Sequence, residues 1–163
     1  MNSGLIIIGS APCFGDDLLK VLNKVWGWDY MAIGLDAIDK HLGHIGFMAT
    51  YHPDDIKPAF SKREHVNGNT DYQVISHVEK EGVDIVYPYK APSGSSALLG
   101  VLAGIKLGYD KIILCGCPMD GAYEQFRQGW QAHLDEYVGK VRSMSGWTKN
   151  FLGEPTGEWL AEE

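Results

Sequence analysis

The sequence lacks the features that mark several large classes of protein. No apolar stretch approaches the roughly 18 to 20 residues needed to cross a bilayer, and residues 1–4 carry no basic segment of the kind that opens a secretory signal. No basic run is longer than Lys62-Arg63, and the net charge is −7, so long-range attraction to nucleic acid or to an anionic membrane is not expected. We therefore expect a cytoplasmic protein with no membrane span and no nucleic-acid partner.

Cysteine is scarce, with three residues at positions 13, 115 and 117. An odd number, with two of the thiols separated by one residue, does not favour a disulfide framework. The thiols are then either small packed hydrophobes or participants in metal or redox chemistry. His52, Cys13 and Cys117 are metal-ligand types, but their spacing matches no recognised pattern, so no metal site is predicted.

Two nucleotide-binding motifs are also missing. Gly9-Ser10-Ala11-Pro12 follows an apolar run, but it has neither the G-x-G-x-x-G spacing of dinucleotide binders nor the G-x-x-x-x-G-K-[ST] of phosphate loops. The sequence therefore does not favour a dinucleotide-dependent or a P-loop enzyme. The turn at Gly9 either serves a ligand or is required by the fold.

Short apolar runs that end at turn residues predict five β-strands. The first run, Leu5–Ile8, stops at Gly9, which is typical of a central strand buried on both faces. Four further strands are predicted at residues 30–33, 45–51, 84–87 and 111–115. Helices are predicted at residues 16–26, 53–60, 95–107 and 122–138, while residues 73–78 fit either a strand or a helix.

This alternation predicts an α/β fold, which we expect to be doubly wound and Rossmann-like, with a mainly parallel sheet in the order 3-2-1-4-5. Right-handed crossovers place helices on both faces of such a sheet. The 163 residues fit one domain, with a core at 4–121 and a helical C-terminal extension at 122–163. Helical spacing in the first helix predicts one buried stripe: Leu18, Leu19, Leu22, Val25 and Trp26.

Ligands of such folds bind outside the carboxyl ends of the strands. The candidate ligand-binding residues there are Gly9, Ser10, Pro12, Gly34, Asp36, Ser93, Gly94, Ser95 and Ser96. Arg142 is a further candidate, because a guanidinium can clamp a phosphate or carboxylate through two hydrogen bonds. His52 and Asp120 are the candidate catalytic residues. His52 could act as a base or as a hydrogen-bond donor near neutral pH, and Asp120 could act as a base or accept a hydrogen bond from a ribose.

Each of these candidates also has a structural interpretation. The serines at 93–96 open a helix whose N–H groups and dipole favour an anion, but one serine can simply cap the helix. The His52 ring can be held by structural hydrogen bonds, and Asp120 can be solvated. Arg142 can form a surface salt bridge.

Three segments resemble bacterial sialyltransferases and the motility-associated-factor proteins linked to flagellin glycosylation. Residues 93–117 (SGSSALLGVLAGIKLGYDKIILCGC) resemble their Ser/Thr-Ser-Gly helix and the following "LGY-x-x-I-x-L-x-G" strand. Residues 6–12 (IIIGSAP) resemble their strand and "G-x-G-P-S" turn, and Tyr51-His52-Pro53 resembles a strand end with Asn-Pro. The chain is also similar to small bacterial and phage proteins with the tail "RSMSGWT…LGEPT".

The resemblance implies a nucleotide-sugar site. It implies Gly9, Ser10 and Pro12 near the phosphate and ribose, and Ser93 and Gly94 against the sugar or phosphate. It puts His52 where the family has a nucleotide-contacting asparagine. The chain departs from the pattern at Ala11, Cys13 and Pro118, where the family has glycine, serine and often aspartate, and no position matches the family's catalytic histidine.

The leading hypothesis is a protein that binds a nucleotide or nucleotide sugar, or a small glycosyltransferase-like enzyme, with that small molecule as its partner. The alternative is a non-catalytic phage or bacterial interaction module on a Rossmann scaffold. In that case the aromatic C-terminal region would supply a homo-oligomer or protein interface. A metal-dependent hydrolase is the third hypothesis.

Overall fold

The computed structural model describes residues 4–89 and 95–162. They form a sheet of seven strands in the order β5-β4-β3-β2-β1-β6-β7, and neighbouring strands pair in parallel throughout. The strands are β1 (Leu5–Ile8), β2 (Asp29–Ile33), β3 (Phe47–Ala49), β4 (Gln73–Ser76), β5 (Ile85–Val86), β6 (Ile112–Cys115) and β7 (Val141–Ser143). The expected α/β, Rossmann-like fold with a parallel sheet is confirmed.

Strand β1 lies at the centre and is buried along its whole length. Its Ile6 is in register with Tyr30 of β2 on one side and with Ile113 of β6 on the other. Alternate residues of β1 enter two different hydrophobic clusters, Leu5 and Ile7 on one face and Ile6 and Ile8 on the other. A strand covered on both faces explains the unbroken apolar run in the sequence.

Helices cover both faces of the sheet. They are α1 (Phe14–Leu22), α2 (Gly34–Ala37), α3 (Ile56–His65), α4 (Ser96–Lys106), α5 (Arg127–Ala132), α6 (Leu134–Tyr137), α7 (Gly146–Leu152) and α8 (Gly157–Ala161), with 3-10 helices at Pro53–Asp55 and Gly121–Phe126. Helix α4 packs on one face, and α1 and α8 pack on the other. Across the described ranges, no helix combines the length and the apolar character that a membrane span requires.

The expected strand order was wrong in one place. The fourth predicted strand, here β5, does not lie beside β1, because residues 73–76 form a further strand, β4, that pairs with β3. Strand β5 has only two residues and lies at the edge. The chain then returns through α4 to β6, on the other side of β1, so the strand order reverses between β1 and β6.

The stripe predicted for the first helix was also wrong. Leu18 and Val21 are buried, whereas Leu19, Leu22 and Trp26 are exposed. Helix α1 also begins two residues earlier and ends four residues earlier than expected. Helical spacing places apolar residues on one side of a helix, but it does not determine whether that side faces the sheet.

The C-terminal extension is mainly helical, but it also adds a strand that the sequence did not predict. Strand β7 pairs with β6 at the second edge of the sheet. The helix expected at residues 122–138 is divided into a 3-10 helix, α5 and α6. Trp130, Tyr137 and Trp159 lie in the core, so these three rings offer no surface to a protein partner.

Candidate functional site

A cavity of about 310 Å³ opens at the carboxyl edge of the sheet, next to the point where the strand order reverses. Its walls come from the segments that follow β1, β2, β3 and β6 and from the amino end of α4. The candidate residues that line it are Gly9, Ser10, Gly34, Asp36, His52, Ser95 and Ser96. The structure thus brings together turns that are far apart in the sequence, at the place expected for a ligand of an open α/β sheet.

The floor of the cavity is formed where the chain leaves β1 and β6. A Cβ on Gly9 would overlap the carbonyl oxygen of Gly116 and lie 2.7 Å from Sγ of Cys117. Gly116 has a φ of +69° and crowds Phe14 and Gly9. The two glycines are therefore required by the close approach of the two chain segments, which supports the structural interpretation of the turn at Gly9.

Asp17 supports this floor from below, and the sequence did not single it out. Its side chain is buried, and Oδ2 accepts a hydrogen bond of 2.9 Å from the Gly116 N–H. Oδ1 accepts a hydrogen bond from the Ser145 hydroxyl. One carboxylate thus ties helix α1 to the loop after β6 and to the loop after β7.

The segment after β7 braces the same loop through Thr148, which is fully buried. Its hydroxyl donates to the Cys117 carbonyl at 2.7 Å, and its N–H donates to the Pro118 carbonyl at 3.2 Å. Gly146 has a φ of +69°, and a Cβ there would overlap Pro118 and Asp120. The motif "SMSGWT" therefore shapes one wall of the cavity without lining it.

The amino end of α4 forms another wall. The Ser95 hydroxyl caps the helix by accepting from the Leu98 N–H at 3.3 Å, and the Ser96 hydroxyl accepts from the Tyr51 N–H at 3.1 Å. The N–H groups of Ser96 and Ala97 belong to the first turn, where a helix supplies no partner. Both residues line the cavity, so these donors and the helix dipole favour an anionic group there.

The wall after β2 and β3 carries acidic and imidazole groups. Asp36 is exposed and lies in the first turn of α2, and Asp55 also lines the cavity. His52 is exposed at the cavity and is held through its backbone, because its N–H donates to the Thr50 hydroxyl at 2.9 Å. Its ring makes no hydrogen bond or ion pair among residues 4–89 and 95–162, so it is free to meet a ligand.

The fourth wall is apolar and aromatic. Met119 lines the cavity with a φ of +56°, a backbone conformation that is costly for a residue with a side chain. Arg127 holds this turn, because its Nε donates to the Met119 carbonyl at 2.7 Å. Tyr123 and Phe126, from the 3-10 helix that follows, also face the cavity, with their ring centroids 6.0 Å apart. Nothing in the sequence pattern marks either ring as part of a site.

The remaining candidates lie elsewhere. Asp120 forms an ion pair of 2.6 Å with Arg127, outside the lining. Pro12 is exposed and is not part of the wall, and the Arg142 guanidinium lies 5.1 Å from the Trp159 ring. Ser93 and Gly94 fall outside the described residues. The functional roles assigned to these five residues stay predictions.

Burial disfavours the reactive thiolate form of the three cysteines. Burial raises the pKa of Cys13, and it raises the pKa of Cys115 and of Cys117 much further. A thiol needs a lowered pKa to act as a nucleophile or ligand at neutral pH. Within the described part of the chain, no group of three His, Cys, Asp or Glu side chains is placed to hold a metal ion.

Comparison of the chain with protein-family models, with curated proteins and with solved structures finds no match. The likeness to sialyltransferases and motility-associated factors therefore rests on the residues quoted above.

Proposed function

We propose that this protein binds a nucleotide or a nucleotide sugar in the cavity at the carboxyl edge of its sheet. The observation that carries the proposal is the pairing, in one cavity, of a helix amino terminus with an aromatic wall. A nucleotide has the matching parts, namely an anionic phosphate and a planar base. The volume of about 310 Å³ is at the lower end of the range typical of small-molecule sites.

In this proposal the phosphate binds at the start of α4. The N–H groups of Ser96 and Ala97 lie at the positive end of an eleven-residue helix, and Ser10 lines the same cavity. Neither lysine nor arginine occurs among the described lining residues. Backbone donors and the helix dipole contribute to the affinity for the phosphate in this proposal.

The base and the sugar take the other walls. Tyr123, Phe126 and Met119 offer flat and polarisable surfaces for a base, because stacking on an aromatic side chain tolerates different ring systems. Asp36 is exposed and follows β2, a position from which a carboxylate can accept hydrogen bonds from sugar hydroxyls. The polar and apolar parts of the wall thus match a ligand of mixed character.

Glycosyl transfer is the finer proposal, with His52 as the group that moves a proton. His52 lines the cavity and is exposed, so a ligand bound there could come within the hydrogen-bond reach that a general base or acid needs. Asp120 is a weaker candidate for a catalytic role, because its carboxylate is already paired with Arg127. A binding protein without catalysis would use the same cavity but would not depend on His52.

Calorimetric titration with cytidine, uridine, guanosine and adenosine monophosphates and their sugar conjugates tests the proposal. Ser96→Asp would place a negative charge where the phosphate is expected, and an acidic residue at this helix start is compatible with folding. We expect binding to at least one nucleotide and a loss of about tenfold or more in Ser96→Asp.

The matched control is Thr156→Asp, which puts the same charge at the start of α8, away from the cavity. It should leave the affinity unchanged. If no compound of the panel binds the wild-type protein, the proposal is wrong. If His52→Ala binds normally but loses turnover of a nucleotide sugar, the enzymatic form of the proposal is supported.

A further inference from the structure

The segment that carries the aromatic wall of the cavity is fixed by little packing. The wall consists of Met119, Tyr123 and Phe126, and residues 120–125 are all exposed. Two residues of this segment have a left-handed backbone conformation, Met119 with a φ of +56° and Gly121 with a φ of +60°. A Cβ on Gly121 would meet no atom within 4 Å, so close packing does not hold the turn there. A costly backbone conformation such as that of Met119 persists where other contacts fix it.

Arg127 supplies three such contacts, one through each nitrogen of its guanidinium. Its Nε donates to the Met119 carbonyl at 2.7 Å. Its two terminal nitrogens lie 2.6 Å from the Asp120 carboxylate and 3.3 Å from the Glu124 carboxylate. The three partners span the turn from which Tyr123 reaches the cavity. A planar guanidinium holds several acceptors at once in a fixed geometry, which a single ammonium group does not.

Helix α7 supports Arg127 and the start of the same segment. The Arg127 guanidinium carbon lies 5.3 Å from the centroid of the Trp147 ring, close enough for a cation–π contact. Trp147 is itself stacked on Phe151, with 4.6 Å between the ring centroids. The next residue, Thr148, donates its N–H to the carbonyl of Pro118, which directly precedes the wall. One helix therefore holds the wall at Pro118 and, through Arg127, over the residues that follow.

We infer that Arg127 is a positioning residue for the nucleotide base, because it fixes the turn that presents the aromatic wall. This inference rests on the proposed function. Arg127 does not itself line the cavity, so it acts on a ligand through the wall. The amino end of α4, where the phosphate binds in the proposal, belongs to a different segment and does not depend on Arg127. Asp120, a predicted catalytic residue, then serves to orient the Arg127 guanidinium.

Titration of the four ribonucleoside monophosphates and of ribose 5-phosphate, followed by amide chemical shifts, separates the base from the phosphate. Arg127→Gln should weaken the monophosphate that wild type binds best by about tenfold, since the stacked base is lost, and leave ribose 5-phosphate unchanged. Arg127→Lys keeps the charge but not the three contacts, so it should lose nearly as much. The matched control is Lys140→Gln, which should change neither affinity. Lys140 pairs with Asp110 at 3.6 Å, and both precede strands, at the edge of the sheet opposite the cavity.

Asp120→Ala decides the matter if Arg127→Gln does not fold, because it keeps Arg127 and removes one group that orients it. It should weaken the same monophosphate by about threefold and spare ribose 5-phosphate. Variants that lose both ligands equally, or that keep the wild-type preference for the monophosphate, overturn the inference alone. So does full binding by Arg127→Lys, since charge would then suffice. A wild-type protein that binds no monophosphate overturns the proposed function as well.

Discussion

The replacement Asp17→Ala probes how the floor of the cavity is held. Asp17 is 2% exposed and accepts hydrogen bonds from the Gly116 N–H and the Ser145 hydroxyl. Hydrogen bonds to a charged group contribute about 1.5–3 kcal/mol each, and a buried donor left without a partner costs about 1–3 kcal/mol. Because one change removes both acceptor atoms, we expect a loss of about 3–5 kcal/mol in the free energy of unfolding. Asp17→Asn keeps one acceptor oxygen and should lose about half as much.

Urea unfolding followed by circular dichroism measures these differences, provided that the slope of the transition is unchanged. Asp16→Ala is the matched control, because Asp16 precedes Asp17 in the same helical turn but is exposed. It should cost only the interaction with the helix dipole, about 1 kcal/mol or less. If Asp17→Ala and Asp16→Ala are equally stable, the two hydrogen bonds do not support the site and the reasoning is refuted.

Three further predictions concern packing and ionisation. Gly9→Ala should destabilise the protein by about 1–3 kcal/mol through overpacking against Gly116. The control is Gly157→Ala, whose new Cβ meets no atom within 4 Å and should leave the stability unchanged. If the two variants are equally stable in urea, the close approach of Gly9 and Gly116 is contradicted. Burial raises the pKa of Tyr72 to about 12, so the protonated ring stabilises the fold below pH 10 and this contribution is lost as pH rises toward 12. Tyr72→Phe should flatten that alkaline loss in a pH series of melting temperatures, and an unchanged profile would contradict it. Because burial raises the pKa of Cys115 and Cys117, a thiol reagent near neutral pH should label them only after unfolding, and rapid labelling of the folded protein would count against their burial.

The fold could be predicted because its signals are local. Residues Leu5–Ile8 are all apolar and are followed by a glycine, a pattern typical of a strand that is covered on both faces of the sheet. Helix α4 was expected at residues 95–107 and spans Ser96–Lys106, since its serine cap and small apolar residues lie next to one another in the sequence. The cavity wall followed from the same rule, because parallel strands end at one edge of the sheet.

What the sequence did not predict depends on contacts between distant residues. Arg63 lies in a stretch that looks solvated, yet it is fully buried, and its guanidinium donates to the carbonyls of Ile38, Gly43 and Asn69. Asp17 looked like an ordinary acidic residue at a helix start, since its partners are Gly116 and Ser145. These roles appear only once the chain has folded.

The predicted strand order was wrong for a related reason. Strand β5 has two residues and β7 has three, too few to show an alternating pattern, and pairing between strands leaves no mark on either sequence alone. The prediction for helix α1 was wrong for a different reason. Helical spacing identifies a stripe of apolar residues but does not show whether other parts of the chain cover it.

Amide chemical-shift mapping during titration with nucleotides tests the central claim most directly. If a nucleotide occupies the cavity, the largest shifts will cluster at Ser10, Ser96, Ala97 and Gly116, and they will disappear in Ser96→Asp but not in Thr156→Asp. Shifts that are absent with every nucleotide, or that cluster on a surface away from the carboxyl edge of the sheet, would contradict the account.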